Sequence, residues 1–135
     1  MALTPDQLGE DGLAFLAETH LASLTTTRPD GQLHVVPVAY SYVPVEHTIR
    51  IVAPGETVKV KNAEAGSLGA LCFVDGGRWM SLHGPLDVQR DPTRVADTVE
   101  RYTSRYGPVR GEIVDRVSLE LRVELVRGRF AMPGR

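Results

Sequence analysis

The stretch from Leu24 to Val38 reads LTTTRPDGQLHVVPV, and its pattern is typical of two strands joined by a tight turn. The consecutive threonines favour an extended backbone because β-branched side chains fit a pleated surface. Pro29 presets φ and Gly31 tolerates a positive φ, which together predict the turn. Pro37 interrupts the return strand. Because it cannot donate a ladder hydrogen bond, it indicates a sheet edge or a bulge.

Further strands and helices are predicted outward from this hairpin by the same kinds of signal. Apolar or alternating runs bounded by Gly and Pro predict strands, and a proline just after a capping residue predicts a helix start. The predicted strands are 21–27, 32–42, 48–52, 68–74, 78–88 and 117–125, and the predicted helices begin at Thr4, Thr57 and Asp91. This mainly β (α+β) pattern of six strands and a few short helices favours a closed or nearly closed antiparallel barrel, because closure removes exposed edges.

Length and composition indicate one domain, residues 1–135. With 42% hydrophobic and 24% charged residues, the chain is typical of a globular protein with one core. A net charge of −2 gives no general attraction for nucleic acid or an anionic membrane, and we expect neither as a partner. No apolar run is long enough to span a bilayer, and the acidic start lacks the apolar core of a signal peptide, so a cytoplasmic location is expected.

The single cysteine and the four histidines give no pattern for a nucleophile or a metal site. Cys72 lies between Leu71 and Phe73, which predicts a buried structural thiol and fits a reducing compartment. The histidines lack metal-ligand spacing, so we expect no metal, and there is no GxSxG elbow. These histidines are His20, His34, His47 and His83. An enzyme built from this chain would therefore rely on a bound cofactor for its chemistry.

A short predicted helix over 57–64 offers a candidate anion site. It contains Lys59, Lys61 and Asn62, and Thr57 is its candidate cap. A helix N-terminus and a lysine ammonium both attract a phosphate. For this segment taken alone, a solvated helix face is the favoured explanation of the same residues, and there is no Walker or dinucleotide glycine pattern.

Two other segments contain candidate ligand-binding residues. The proline-interrupted strand leaves backbone groups beside Pro37 that could bind the edge of a heterocycle, although a bulge without a ligand explains them too. Arg78 and Trp79 could clamp an anionic planar substrate, although tryptophan is more often a core residue. The threonine hydroxyls of the first strand could face a ligand, but β-propensity alone accounts for them.

Two segments resemble a known family: LASLTTTRPDGQLHVVPVAY at 21–40, and KVKNAEAGSLGALCFVDGGRWMSLHGPLDV at 59–88. They are similar to the pyridoxamine-phosphate-oxidase-like split β-barrel superfamily. Within it, the chain from about Leu13 to Val126 resembles the B group of actinobacterial flavin/deazaflavin oxidoreductases, which use coenzyme F-420. The resemblance implies a six-stranded antiparallel split β-barrel that forms a homodimer with two equivalent sites at the interface.

The resemblance also implies roles for individual residues. Lys59 matches the lysine that binds the cofactor phosphate, and the proline-interrupted strand matches the one that lines the deazaflavin ring. The implied cofactor-binding residues are Thr26, Val36, Pro37, Val38, Thr57, Lys59, Lys61 and Asn62. Arg28 and Trp79 are the implied acceptor-binding residues, and Arg78 is the implied catalytic residue. Val58 departs from the polar residue that relatives often carry before the lysine, and Lys61 could compensate.

The activity implied by the resemblance is hydride transfer from C5 of the reduced deazaflavin to a conjugated acceptor, such as biliverdin or a similar molecule. The protein would supply orientation and positive charge near the developing anion. Arg28, Lys61 and Arg78 are candidates to hold acceptor carboxylates, and the proton could come from solvent or from Arg78. Two alternatives stay open: the same fold with FMN as a flavin reductase or oxidase, and a cofactor-binding protein without turnover.

Overall fold

The computed structural model describes residues 2–111 and 114–132. The described residues form a mainly β fold with eight strands and three α-helices, and a 3-10 turn at Pro5–Gln7 precedes the first helix. The strands are β1 (Leu21–Thr27), β2 (Leu33–Ala39), β3 (Ser41–Val43), β4 (Thr48–Pro54), β5 (Leu68–Asp75), β6 (Arg78–Gln89), β7 (Arg116–Arg122) and β8 (Leu125–Arg129). The helices are α1 (Gly9–Ala17), α2 (Val58–Glu64) and α3 (Pro92–Tyr106). No described helix is long and apolar enough to cross a bilayer.

The strands form one antiparallel sheet in the order β2-β1-β5-β6-β7-β4-β3, with β8 also paired to β6. The long strand β6 belongs to both halves of the sheet, because its first part pairs with β5 and β8 and its last four residues pair with β7. Strands β2 and β3 remain as edges, so the sheet is open rather than closed. The edge position predicted from Pro37 is confirmed, and Pro37 pairs with Ser23 in regular register without a bulge.

Eight strands replace the predicted six because two predicted strands each divide in two. The segment 32–42 divides at Tyr40, whose N–H and carbonyl both bind the Tyr106 hydroxyl, at 3.2 and 2.8 Å. The segment 117–125 divides after Arg122, where the chain leaves β4 and continues as β8 against the first part of β6. Both interruptions depend on residues distant in sequence, which a local alternation pattern does not reveal.

The hydrophobic core lies between the inner side of the sheet and the first two helices. Leu8, Phe15 and Leu16, which the sequence places on the core side of the N-terminal segment, are buried there. Phe15 packs against Phe73 with ring centroids 4.8 Å apart. Fully burying a side chain of this size stabilises the fold by about 1.5–3 kcal/mol. Helix α1 itself begins at Gly9, after the 3-10 turn.

Helix α3 packs on β4 and β7 through polar groups rather than apolar ones. Alternation along 117–125 predicts Ser118 and Glu120 on the solvent side, but both are buried beneath α3. Arg94 donates to the two oxygens of the Glu120 carboxylate at 2.6 and 2.8 Å, and the Thr98 and Ser118 hydroxyls lie 2.7 Å apart. The prediction fails because a polar helix face covers this side of the sheet and satisfies its polar groups.

Two further ion pairs complete the attachment of α3. The buried Arg50 guanidinium binds Asp97 of α3 and, at 2.9 Å, the carboxylate of Glu46. Glu46 also accepts from Arg94, and these guanidinium groups lower the pKa of Glu46 to about 2. Because a buried guanidinium is costly without its partners, this network fixes α3 in one position beside β4.

The sheet half formed by β2, β1, β5, β6 and β8 has a second side that faces away from the core; we call it the outer face. Alternation and cross-strand register define it. Its side chains are Leu21, Ser23, Thr25, Thr27, Leu33, Val35, Pro37, Ala39, Leu68, Ala70, Cys72, Val74, Trp79, Ser81, His83, Pro85, Leu125, Arg127 and Arg129. Cys72 is exposed here, so its predicted burial is wrong: its neighbours Leu71 and Phe73 take the inward positions.

Candidate functional site

A cavity of about 230 Å³ lies where the end of β2 and the middle of β4 meet α2 and α3. It is lined by Val38, Ala39, Ile51, Val52, Lys59, Tyr102, Val109 and Arg110. The strands supply an apolar wall, whereas the helices and the loop after α3 supply two cationic side chains and one phenol. A concave apolar surface with a few polar groups is the usual form of a small-molecule site.

Lys59 is the central charged group of this cavity. Its side chain is half-buried, and burial lowers the pKa of its ammonium group. No ion pair joins Lys59 to a carboxylate in the described ranges. A desolvated ammonium without a counter-charge is electrostatically costly, and a bound anion would remove that cost.

Lys61 lies in a different environment, although it is only two residues further along α2. Its side chain is 59% exposed, and its ammonium forms an ion pair with Glu56 at 3.3 Å. Residues two apart do not share a helix face. The structure therefore brings Lys59, and not Lys61, to the cavity.

Asn62 and Thr26 attach α2 to the sheet. The Asn62 side-chain amide donates to the Thr26 hydroxyl at 2.9 Å, and both residues are buried. In this arrangement they bind each other rather than facing the cavity, and they fix the orientation of Lys59 on the same helix. Their predicted contact with a cofactor stays a prediction.

Thr57 occupies the N-cap position of α2, as predicted, but its side chain does not cap the helix. Its hydroxyl donates instead to the Pro54 carbonyl at 2.9 Å, and this closes the turn between β4 and α2. The amide groups of the first helical turn consequently have no side-chain acceptor. Its predicted contact with a cofactor is a separate matter and stays a prediction.

The three predicted residues of β2 divide between the two sides of the sheet. Val38 is buried and lines the cavity, and Val36, on the same side, packs against the core. Pro37 is exposed on the outer face, opposite Ser23. The chain therefore presents Val38, but not Pro37, to the cavity.

Arg78 lies far from this cavity. Its guanidinium donates to both oxygens of Glu18, at 2.9 and 3.0 Å, and to Asp75 at 2.9 Å, and it lies 4.4 Å from the Phe15 ring centroid. The hydrogen bonds that Arg78 donates to Glu18 raise the pKa of the Arg78 guanidinium and lower the pKa of the Glu18 carboxyl group. The attachment point of α2 at Thr26 is about 20 Å away along β5. Arg78 thus holds α1 against the β5–β6 turn.

The other residues that the sequence suggested for a functional site lie outside the lining of this cavity. The carboxylates of Glu18 and Asp75 come close to His20, as a metal site would require, but both bind the Arg78 guanidinium. Trp79 is 39% exposed on the outer face rather than in the core, because its neighbour in β6 takes the inward position. Arg28 is half-buried in the β1–β2 turn.

Sequence reasoning did not identify Tyr102 and Arg110 as cavity residues. Tyr102 belongs to a helical stripe that local periodicity explains as packing, and it reaches the cavity because the polar network fixes α3 beside β4. Arg110 follows the Gly107 that ends α3, in a loop with no periodic signal. A second cation beside Lys59 strengthens the case that the cavity accepts an anion.

Comparison with protein families gives a match over most of the chain. A model described as "Pyridoxamine 5'-phosphate oxidase" matches residues 8–130. A protein of Mycobacterium tuberculosis (strain CDC 1551 / Oshkosh) called F-420H(2)-dependent biliverdin reductase is 41% identical over 128 residues. That match covers 95% of this chain and 93% of the relative.

Solved structures show the same fold at lower identity. A conserved hypothetical protein from Mycobacterium tuberculosis superposes with a TM-score of 0.77 at 20% identity, over 90% of this chain and 84% of that one. An F-420 reductase gives 0.71 at 23% identity, over 84% of this chain and 94% of that one. At these identities the likeness concerns the fold alone.

Proposed function

This chain belongs to the pyridoxamine 5'-phosphate oxidase family, and we propose that it is a reductase that uses coenzyme F-420 to transfer a hydride to a conjugated small molecule. One observation carries the proposal: a half-buried lysine with no carboxylate partner among the described residues lies in a cavity with an apolar wall, at the position expected to hold the cofactor's phosphate. The 41% identical relative, named as an F-420H(2)-dependent biliverdin reductase, makes biliverdin the first acceptor to test.

The residues of the cavity fit the chemistry of this cofactor. Lys59 and Arg110 would hold its phosphate and carboxylate groups, and Val38 and Ile51 offer an apolar wall to its ring. When bound in its reduced form, a deazaflavin supplies a hydride. The cavity of about 230 Å³ has room for part of such a molecule.

The protein's own contribution is binding, orientation and electrostatics. The two cations would neutralise the anionic groups of a bound cofactor, and the apolar strand residues would exclude water from it. Fixing the relative orientation of two reactants contributes several kcal/mol to catalysis in favourable cases. A positive charge aimed at the acceptor stabilises the anion that develops there.

We further propose that two copies associate through the outer face. Five large apolar side chains are exposed there, between 58% and 70% of their surface: Leu21, Leu33, Val35, Leu68 and Val74. Contiguous apolar surface of this kind is typical of an interaction site. A second copy would supply the additional surface that a cofactor larger than one cavity requires.

Replacing Val35 with glutamate is expected to convert the dimer to a monomer, because the substitution places a charge within the apolar face. The matched control is Val45→Glu, since Val45 is 92% exposed in the β3–β4 turn and outside that face. Light scattering coupled to gel filtration measures the mass of both variants. Equal masses for the two variants would contradict association through this face.

The proposed activity is tested by binding and by turnover. Titration with oxidised F-420 and with FMN should show tighter binding of F-420, and stopped-flow mixing of reduced F-420 with biliverdin should show oxidation accelerated by the protein. Tighter binding of FMN would favour the flavin alternative. Tight F-420 binding without acceleration across several conjugated acceptors would favour a binding protein.

A further inference from the structure

Another cavity, of about 240 Å³, lies between the edge strand β3 and the last two turns of α3. No acidic residue contributes to its lining, which consists of Ser41, Tyr42, Arg101, Ser104 and Arg105. The three residues of α3 share one helix face, because positions three and four apart on a helix are neighbours. None of the five residues lines the Lys59 cavity or belongs to the outer face. This cavity is therefore a separate polar site with two cationic side chains.

The Ser41 hydroxyl is a polar group without a partner inside the protein. Ser41 pairs with Arg50 and points to the side of the sheet that α3 covers. It is only 5% exposed, and no hydrogen bond joins its hydroxyl to any described residue. Its oxygen keeps some accessible surface, unlike the neighbouring Tyr42 hydroxyl, and it opens on the cavity. Because a buried hydroxyl is normally hydrogen-bonded, an acceptor inside the cavity would supply the missing partner.

Arg105 brings a positive charge that no carboxylate compensates. Its terminal nitrogens donate to the carbonyls of Glu18 and Ala17 at 2.6 and 3.2 Å. Its Nε donates to the Tyr106 hydroxyl at 3.4 Å, and the guanidinium lies 5.1 Å from the Tyr40 ring centroid. No ion pair joins Arg105 to a carboxylate of the described residues. These neutral partners fix the guanidinium without cancelling its charge, and one N–H of each terminal nitrogen remains available to a ligand.

Arg101 supplies a second guanidinium from the polar network that attaches α3. Its Nε donates to Asp97 at 3.0 Å, whereas its terminal nitrogens have no acceptor within the described ranges. The network pairs three guanidinium groups with three carboxylates: Arg50, Arg94 and Arg101 with Glu46, Asp97 and Glu120. Arg105 is not a member of this balanced set, so its charge is left for an anion in the cavity.

Hydrogen-bond donors that converge from several directions suit a tetrahedral oxyanion. A phosphate group carries up to two negative charges and several acceptor oxygens, and guanidinium and hydroxyl groups are its usual protein ligands. A planar carboxylate, in contrast, is satisfied by one guanidinium fork. Two guanidinium groups on one helix face, with hydroxyls on the same face and on the strand opposite, therefore favour a phosphate group.

An apolar cavity of about 180 Å³ adjoins this site and shares Tyr42 and Arg105 with it. The rest of its lining is apolar and consists of Leu13, Leu16, Ala17 and Pro44. An apolar substituent carried by the phosphate could enter this space and leave water.

We propose that Ser41, Arg101, Ser104 and Arg105 bind the phosphate group of a small molecule, at a site separate from the Lys59 cavity. The two guanidinium groups pair with the dianion, and the two hydroxyls donate to its oxygens. The group is either inorganic phosphate or the phosphate of an ester whose apolar part occupies the neighbouring cavity. This site goes beyond the proposed reductase activity and does not depend on it.

Isothermal titration calorimetry with inorganic phosphate and with phenyl phosphate tests the assignment. At pH 8 both probes are largely dianionic, and sodium chloride keeps the ionic strength constant across the titration. The wild-type protein should give a saturable heat. Tighter binding of phenyl phosphate would identify an ester as the ligand, and equal or weaker binding would identify inorganic phosphate.

Ser41→Ala is the most specific variant, because it removes a hydroxyl that stabilises nothing in the free protein. It should bind the phosphate probes about tenfold more weakly, the usual effect of losing a hydrogen bond to a charged group, with an unchanged Tm in the absence of ligand. Arg105→Gln should weaken binding by about tenfold or more, and circular dichroism checks that it folds. Arg122→Gln is its control, since it removes the same charge from an exposed pair with Glu124 and should bind as the wild type does.

Lys59→Ala separates this site from the proposed cofactor site, because that cavity is also expected to accept a phosphate. The variant should keep the heat that the wild type gives with the better of the two probes. Loss of that heat in Lys59→Ala would place the phosphate at the Lys59 cavity and overturn the assignment. The absence of a saturable heat with either probe, or wild-type affinity in Ser41→Ala, would overturn it as well.

Discussion

Replacing Lys59 with alanine is expected to weaken binding of coenzyme F-420 by about 1.5–3 kcal/mol, or roughly 10- to 150-fold, the usual value of a hydrogen bond to a charged group. The ammonium is half-buried, and burial lowers its pKa; no carboxylate of the described residues is paired with it. An anion placed beside it gains a desolvated ionic contact that an exposed lysine cannot provide. The measurement is isothermal titration calorimetry with the oxidised cofactor.

Lys61→Ala is the control, since it removes the same side chain from the same helix. Lys61 is 59% exposed and already paired with Glu56, so its removal should change the affinity less than threefold, in line with an exposed ion pair. If both variants bind F-420 equally, the anion is not held at this cavity. The stability of the apo protein should not fall in the Lys59 variant, because the substitution removes a desolvated charge rather than a favourable contact.

Local signals were sufficient for most elements of the fold. Asp91 caps α3 by accepting from the Arg94 N–H at 3.0 Å, as its position before Pro92 predicts. The β5–β6 turn has Gly76 at φ 60°, where glycine is favoured. These features depend on residues within a few positions of each other, and the sequence therefore contains all the information they require.

The features that were missed depend on contacts between distant parts of the chain. Ser118 and Glu120 look solvent-facing until α3 covers them, and Tyr40 ends β2 because a tyrosine 66 residues away binds its backbone. The residues of the candidate site fall into the same two groups: some are predicted by local signals, and others depend on distant contacts. The candidate role of Lys59 can be predicted from its place near the start of a helix. Arg110, in contrast, reaches the cavity because Arg50 helps to fix α3 in place.

Gly84 marks the point where the chain passes from β7 to β8 across β6. Strand β6 pairs with β8 through residues 79–83 and with β7 through residues 86–89, so the connection must cross between these two ranges. There the Glu124 N–H donates to the His83 carbonyl at 2.9 Å. A Cβ atom at position 84 would lie 1.8 Å from the carbonyl oxygen of Arg122. Only glycine fits at position 84, because the backbone atoms that a Cβ would meet there cannot move aside.

Gly84→Ala is therefore expected to destabilise the fold by about 3 kcal/mol or more, at the upper end of what overpacking costs, with a fall in Tm of about 10 °C. Gly77→Ala is the control, because a Cβ there meets nothing within 4 Å, and it should change the free energy of unfolding by about 0.5 kcal/mol or less. Urea unfolding followed by circular dichroism measures both. Equal stabilities would mean that β7 and β8 do not cross β6 at this residue, and the pairing of β8 with the first part of β6 would then be wrong as well.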